Sequence, residues 1–157
     1  MIRLATCDDM PALLALAKVS GLFEPGQIED LAQMLAEYFH HEGETAEFWL
    51  TDCDSVPVGM AYVAPERMTE GTYNLYLLAV HPNYQRQGRG KALLHYVEQM
   101  LVERGERILL VETSGTEDFD YVREFYRHSG YAEEARIREF YAPGVDKIVF
   151  RKVLTVG

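Results

Sequence analysis

The chain has 157 residues, 48% of them hydrophobic, enough for one ordinary core and too few for two. A formal net charge of -10 argues against a phosphate-backbone partner, because nucleic-acid binding draws on a basic surface to release counterions. No apolar run approaches the roughly 18 residues of a membrane span, and Met1 to Thr6 runs into Asp8 and Asp9 without the apolar segment of a secretory signal. The expectation is a cytoplasmic protein that binds neither nucleic acid nor membrane.

In chain order, Met1 to Ala5 suits a short strand. Asp8 or Asp9 then caps a helix with Pro11 in its first turn, Leu13, Leu14 and Ala17 along one face, and Gly21 at its end. Pro25-Gly26 opens a second helix, with Ile28, Leu31, Met34, Leu35 and Tyr38 at helical spacing. From Glu47 the texture changes to strands. Phe48 to Thr51 and Val56 to Val63 read as a hairpin about a turn at Asp52 to Ser55. Tyr73 to Val80 loses its alternation, as a strand buried on both faces would, and His81-Pro82-Asn83 stops it. A helix from near Arg89 carries Leu93, Leu94, Val97, Met100 and Leu101 on one stripe and ends before Gly105. Ile108 to Thr113 reads as another central strand. A helix bearing Val122, Phe125 and Tyr126 follows and is closed by Gly130. Tyr131 to Arg138 and Lys147 to Val153 form two last strands joined across Pro143-Gly144. The strand-helix-strand unit around Gly90 needs a crossover while the earlier strands are close enough for hairpins, so the class is mixed α/β.

Cys7, Cys53 and the five histidines have no metal-ligand spacing, and no metal is expected. The sharpest local feature is Gln85-Arg86-Gln87-Gly88-Arg89-Gly90-Lys91, between a buried strand and an amphipathic helix. Gly88 and Gly90 remove Cβ atoms that would hold a ligand off. Backbone N–H groups and the helix N-terminus can then face phosphate oxygens, with Arg86, Arg89 and Lys91 adding local positive charge. A tight turn with solvated cations fits the same residues. A P-loop is excluded, because Gln85 stands where its first glycine belongs and Ala92 where its hydroxyl belongs. A dinucleotide turn lacks its third glycine, which is Leu93 here, although Glu112 lies about 20 residues on, as its ribose-binding acid would.

Leu78-Ala79-Val80-His81-Pro82 followed by Gln85-Arg86-Gln87-Gly88-Arg89-Gly90 resembles the acetyl-CoA motif of the GNAT superfamily. Glu112 at the end of the next strand and Phe125-Tyr126-Arg127-His128-Ser129-Gly130-Tyr131, similar to the family's second signature, extend the resemblance from Glu47 to the C-terminus. It implies a single-domain GNAT fold over residues 1–157, with a mixed, mostly antiparallel sheet whose central strands splay. Residues 1–46 would supply a strand and two acceptor-side helices, and 47–157 the sheet core with the CoA site. The backbone at Leu78, Ala79 and Val80 would hold the pantetheine arm, and Gln85, Arg86, Gln87, Gly88, Arg89, Gly90 and Lys91 the pyrophosphate.

Acyl transfer to an amine needs a neutral nucleophile, and a lysine-like amine has a reference pKa of about 10.4, so a base must take its proton. Glu112 is the candidate, at a strand end where desolvation would favour its neutral form. A Glu that only orders the strand end is the plain alternative. The resemblance places Tyr126 as proton donor to the departing thiolate, although Val122, Phe125 and Tyr126 also suit a core stripe. Similarity to the ribosomal-protein N-terminal acetyltransferase branch rests on the strand-end Glu112 and on Tyr141, a candidate substrate contact or a loop anchor. Glu117, Asp118 and Asp120 offer an acidic mouth or a solvated face, and Phe23, Tyr38 and His40 would shape the acceptor pocket by family analogy. The expected activity is transfer of acetyl from acetyl-CoA to a primary amine of a small molecule or a peptide N-terminus. The alternatives are a non-catalytic acyl-CoA sensor and a dinucleotide binder. A homodimer is admitted as its assembly.

Overall fold

The computed structural model describes residues 1–155. In chain order they form β1 (Ile2–Leu4), α1 (Met10–Ser20), α2 (Pro25–His40), β2 (Phe48–Asp54), β3 (Val56–Pro65), β4 (Thr72–Val80), α3 (Arg89–Glu103), β5 (Ile108–Ser114), α4 (Asp120–His128), β6 (Ala132–Ala142) and β7 (Val145–Val153). Single 3-10 turns lie at Cys7–Asp9, Pro82–Tyr84 and Glu117–Phe119. The strands follow the order β1-β2-β3-β4-β5-β7-β6 in one mixed sheet. The α/β expectation and the element order hold. The chain divides into two compact units, one of Met1–Val63 with Leu77–Val97, the other of Ala64–Tyr76 with the chain from Glu98 onward.

In the first unit β1, β2 and β3 form an antiparallel meander. Leu13, Leu16 and Ala17 of α1, Leu31 and Leu35 of α2, and Trp49, Met60 and Ala79 of the strands form one buried cluster. This is why both helices read as apolar stripes at a 3.6 period. Phe23 and Tyr38 pack against that cluster, while His40 is exposed. Asp9 stands at the N-cap of α1 without a side-chain cap bond to it, and its carboxylate instead accepts from Arg3 at 2.7 and 2.9 Å and from the Thr6 backbone N–H at 2.8 Å. Paired with the Arg3 guanidinium, Asp9 has its pKa lowered to about 2. Gly59 within β3 answers a close approach, since a Cβ there would lie 2.9 Å from Leu93 of α3.

In the second unit β4 pairs with β5 in parallel from Thr72–Ile108 to Leu75–Val111. β5 pairs antiparallel with β7, setting Glu112 opposite Val149 and Ser114 opposite Lys147. The core includes Leu109, Val111, Tyr126, Tyr131, Ile148 and Phe150. Within it the Tyr131 hydroxyl donates to Glu98 at 2.6 Å, and Lys152 completes the group at 3.1 Å from the same carboxylate.

Three expectations change in detail. The final hairpin is longer than its apolar residues suggested, with β6 running to Ala142 and β7 starting at Val145, so Tyr141 lies in a strand and not in a loop. The cause is pairing: Ala142 bonds across to Val145 whatever its side chain. The first hairpin turn is also tighter, because β2 extends to Asp54 and Ser55 alone turns the chain at φ 68°. β4 is not buried along its whole length on both faces. Tyr73, Asn74 and Leu75 are buried, but Tyr76 is 51% exposed and Leu77, Leu78 and Val80 only partly covered. An apolar run shows what a strand tolerates inside, not that every residue is covered.

Candidate functional site

In the first unit the candidate phosphate loop grows out of the end of β4. Ala79 is buried, Leu78 and Val80 are half-buried, and the Gln85 side chain donates back to the Val80 carbonyl at 3.0 Å. The loop is thereby tied to its own strand. Arg86 at φ 62° and Gly88 at φ 80° turn the chain into the first turn of α3, where the Ala92 N–H reaches the Gly88 carbonyl at 3.0 Å. The N–H groups of the preceding turn, from Arg89 to Lys91, then have no intrahelical acceptor, which is the usual chemistry of a helix N-terminus facing an anion. A Cβ built on Gly88 would meet nothing within 4 Å. A cleft of about 420 Å³ beside it is lined in part by Asp52, Gln87, Gly88, Arg89, Ala92 and Tyr96.

The three cations of the loop differ. Arg86 and Lys91 are exposed. Arg89 is committed: its guanidinium lies 3.0 Å from the buried Asp52 and 3.7 Å from Asp54, and stacks over Tyr84 at 5.3 Å. Its side-chain charge is thus met within the protein. Spacing alone could not show this, because Asp52 lies 37 residues earlier on β2.

In the second unit Glu112 does not have the apolar surroundings expected for it. Its Oε1 is ion-paired with Lys147, and its Oε2 accepts from the Asn74 side chain at 3.2 Å. The Lys147 ammonium also sits 4.0 Å from the centre of the Phe140 ring. Asn74 donates to Glu66 at 2.9 Å as well, and Glu66 accepts from the Tyr76 hydroxyl at 3.0 Å. The Tyr76 phenol is pushed up to about 12, by burial first and then by the Glu66 carboxylate. Sequence reading missed Lys147, Asn74 and Glu66. Lys147 is two residues from the cross-strand partner of Glu112, a diagonal that only the β5–β7 register reveals. Asn74 did carry a signal, a polar amide inside an apolar strand run.

Tyr126 has the core position that its apolar spacing suggested. Its ring is core, 5% exposed and within 5.1 to 5.9 Å of the rings of Phe125, Tyr131 and Phe150. Its hydroxyl makes no hydrogen bond among the described residues, and burial raises its pKa, so it stays protonated. Tyr141 is half-exposed on β6, and its phenol is shifted up by burial and then by the charge of Glu112. Of the acidic mouth, Glu117 and Asp118 are exposed while Asp120 is ion-paired with Arg123. Among the described residues no three His, Cys, Asp or Glu are grouped to hold a metal, and no helix is long and apolar enough to cross a membrane.

The profile of the acetyltransferase (GNAT) family matches residues 13–131, and the chain belongs to that family. Over 121 residues it is 31% identical to an amino-acid acetyltransferase of Pasteurella multocida (strain Pm70). That match covers 73% of this chain and 24% of the relative, so the chain spans about a quarter of the length of the protein it matches. A crystal structure assigned to the GNAT family from Desulfovibrio desulfuricans superposes with a TM-score of 0.92 at 30% identity, covering 99% of each chain. The ribosomal-protein-S18-alanine N-acetyltransferase of Escherichia coli shares the fold, with a TM-score of 0.80 at 20% identity over 100% of this chain and 95% of that one. An aminoglycoside 6'-N-acetyltransferase complexed with coenzyme A does so too, with 0.79 at 16% over 100% and 98%.

Proposed function

We propose that this chain acts as one N-acetyltransferase domain that moves acetyl from acetyl-CoA directly to a primary amine of a small molecule or of a peptide N-terminus. The observation that carries the reading is the loop after β4. Gly88 stands at φ 80° with open space on its Cβ side, and it directly precedes the first turn of α3 in a chain of this family. Backbone groups from Gln85 to Lys91 hold the pyrophosphate, with the exposed Arg86 and Lys91 adding positive charge, and Leu78, Ala79 and Val80 hold the pantetheine arm. Glu112 takes a proton from the acceptor ammonium and leaves its nitrogen lone pair free. That nitrogen attacks the thioester carbonyl, the C–N bond forms as the C–S bond breaks, and Tyr126 returns a proton to the thiolate. A phenol held neutral by burial suits that last step. Tyr141 contacts the acceptor, consistent with its half exposure and with its phenol lying within the field of Glu112.

The relatives define the acceptors to try, since those proteins are described as acting on an amino acid, on the alanine of a ribosomal protein and on an aminoglycoside. The test mixes purified protein, acetyl-CoA and a panel of L-amino acids, alanine-leading hexapeptides and aminoglycosides, and follows free thiol. Amine-dependent thiol release is the expected result. Binding of acetyl-CoA with no release across the panel would favour a sensor.

A further inference from the structure

Asn74 is 1% exposed, between the buried Tyr73 and Leu75 on β4. A carboxamide in that position has to be paired or it costs free energy. Its Nδ2 donates both hydrogens, to Glu66 Oε1 at 2.9 Å and to Glu112 Oε2 at 3.2 Å. These partners fix its orientation, because a flipped amide would turn its carbonyl oxygen toward two carboxylates that only accept. The oxygen is accordingly directed away, buried and without a partner among the described residues. A leucine has nearly the same shape and would fill the position with no orphaned acceptor, so packing alone does not account for an asparagine here.

We propose that Asn74 is a positioning residue for the base of the transfer reaction, holding one oxygen of Glu112 while Lys147 holds the other. The inference rests on the reading of Glu112 as base and names what orients it. A carboxylate has about four lone-pair sites. Asn74 and Lys147 occupy one on each oxygen, which fixes the carboxylate plane and leaves the remaining sites to receive the ammonium proton. The clamp continues outward, since Glu66 is shared by Asn74 and the Tyr76 hydroxyl. The charged and titratable groups around Glu112 are therefore Glu66, Tyr76, Lys147 and the phenol of Tyr141. In the transfer the ammonium N–H bond breaks, its proton goes to Glu112, and the freed electron pair forms the new C–N bond. Asn74 exchanges no proton and acts through Glu112.

The experiment compares Asn74→Leu, Glu112→Gln and the double variant. Acetyl-CoA is the donor, and the acceptor is an alanine-leading hexapeptide or the L-amino acid that the unaltered protein acetylates fastest. Asn74→Leu is expected to lower kcat by roughly tenfold to a hundredfold, the scale of a misplaced reacting group, with the KM for acetyl-CoA unchanged. The acid limb of kcat/KM should move to higher pH, because a donor to the ionised form of the base is gone. In the Glu112→Gln background the same change should cost nothing further. If Asn74→Leu does not fold, Asn74→Ala removes the donor with no new polar group and is read by the same two measures. Unaltered kcat and pH profile at position 74 beside a defective Glu112→Gln overturns the proposal, as do losses that multiply in the double variant. Full turnover in Glu112→Gln alone overturns the base reading itself, and that single variant reports it separately.

Discussion

Glu112 and Tyr126 differ in what the protein has already done with their polar atoms. Glu112 is held at both oxygens by Asn74 and Lys147, whereas the Tyr126 hydroxyl has no partner among the described residues. Glu112→Gln should therefore lower kcat/KM by about 10² to 10⁴-fold, with the loss shrinking at high pH where the amine is already neutral. A defect that is constant with pH would make Glu112 an ordering residue only. Tyr126→Phe keeps the ring among Phe125, Tyr131 and Phe150 and breaks no hydrogen bond, so the melting temperature should change little, by less than about 1 kcal/mol in stability. Turnover should fall without rescue by pH and without a large change in acetyl-CoA affinity. Unchanged turnover would leave Tyr126 as core alone.

The loop and the helix it opens make a prediction about backbone shape. Gly88 sits at φ 80°, where valine is strained even in open space, so a valine there would confuse strain with blockage of the phosphate. Asparagine tolerates that conformation and still adds a Cβ. Gly88→Asn should leave the fold intact and weaken acetyl-CoA binding by about tenfold, or about 1.4 kcal/mol, measured by calorimetry. Unchanged affinity would refute the cradle. The start of α1 makes a prediction about acid. The Asp9 carboxyl lies at about 2 in the folded chain against an ordinary 3.8, a lowered value set chiefly by Arg3. Its stabilisation is complete above about pH 4 and is lost as pH falls from there toward about 2. Arg3→Gln should flatten urea-melt stability against pH in that window, and an equally steep acid loss in the variant would assign it to other carboxylates.

For the whole molecule, ligand linkage separates the acyl-CoA readings from the dinucleotide one. Acetyl-CoA at 100 times its Kd should stabilise the fold by about 2.7 kcal/mol, seen as a raised melting temperature, with no comparable shift from NAD or ATP. Equal shifts with NAD would sink the CoA assignment. What the sequence by itself determined is what depends on neighbours along the chain. The helices and strands followed from 3.6 and 2 residue periods, the helix ends from Gly21, Gly105 and Gly130 at positive φ, and the loop from glycines between a strand and a helix. The order of motifs was enough to suggest the family that the profile match then showed. The tertiary structure alone decided which charges are free and which are spent. Arg89 meets Asp52 across 37 positions, and Glu112 meets Asn74 across 38 and Lys147 through the β5–β7 register. Strand pairing sets the meetings at Glu112, whereas Arg89 reaches Asp52 from the first turn of α3, and none of these follows from separation along the chain.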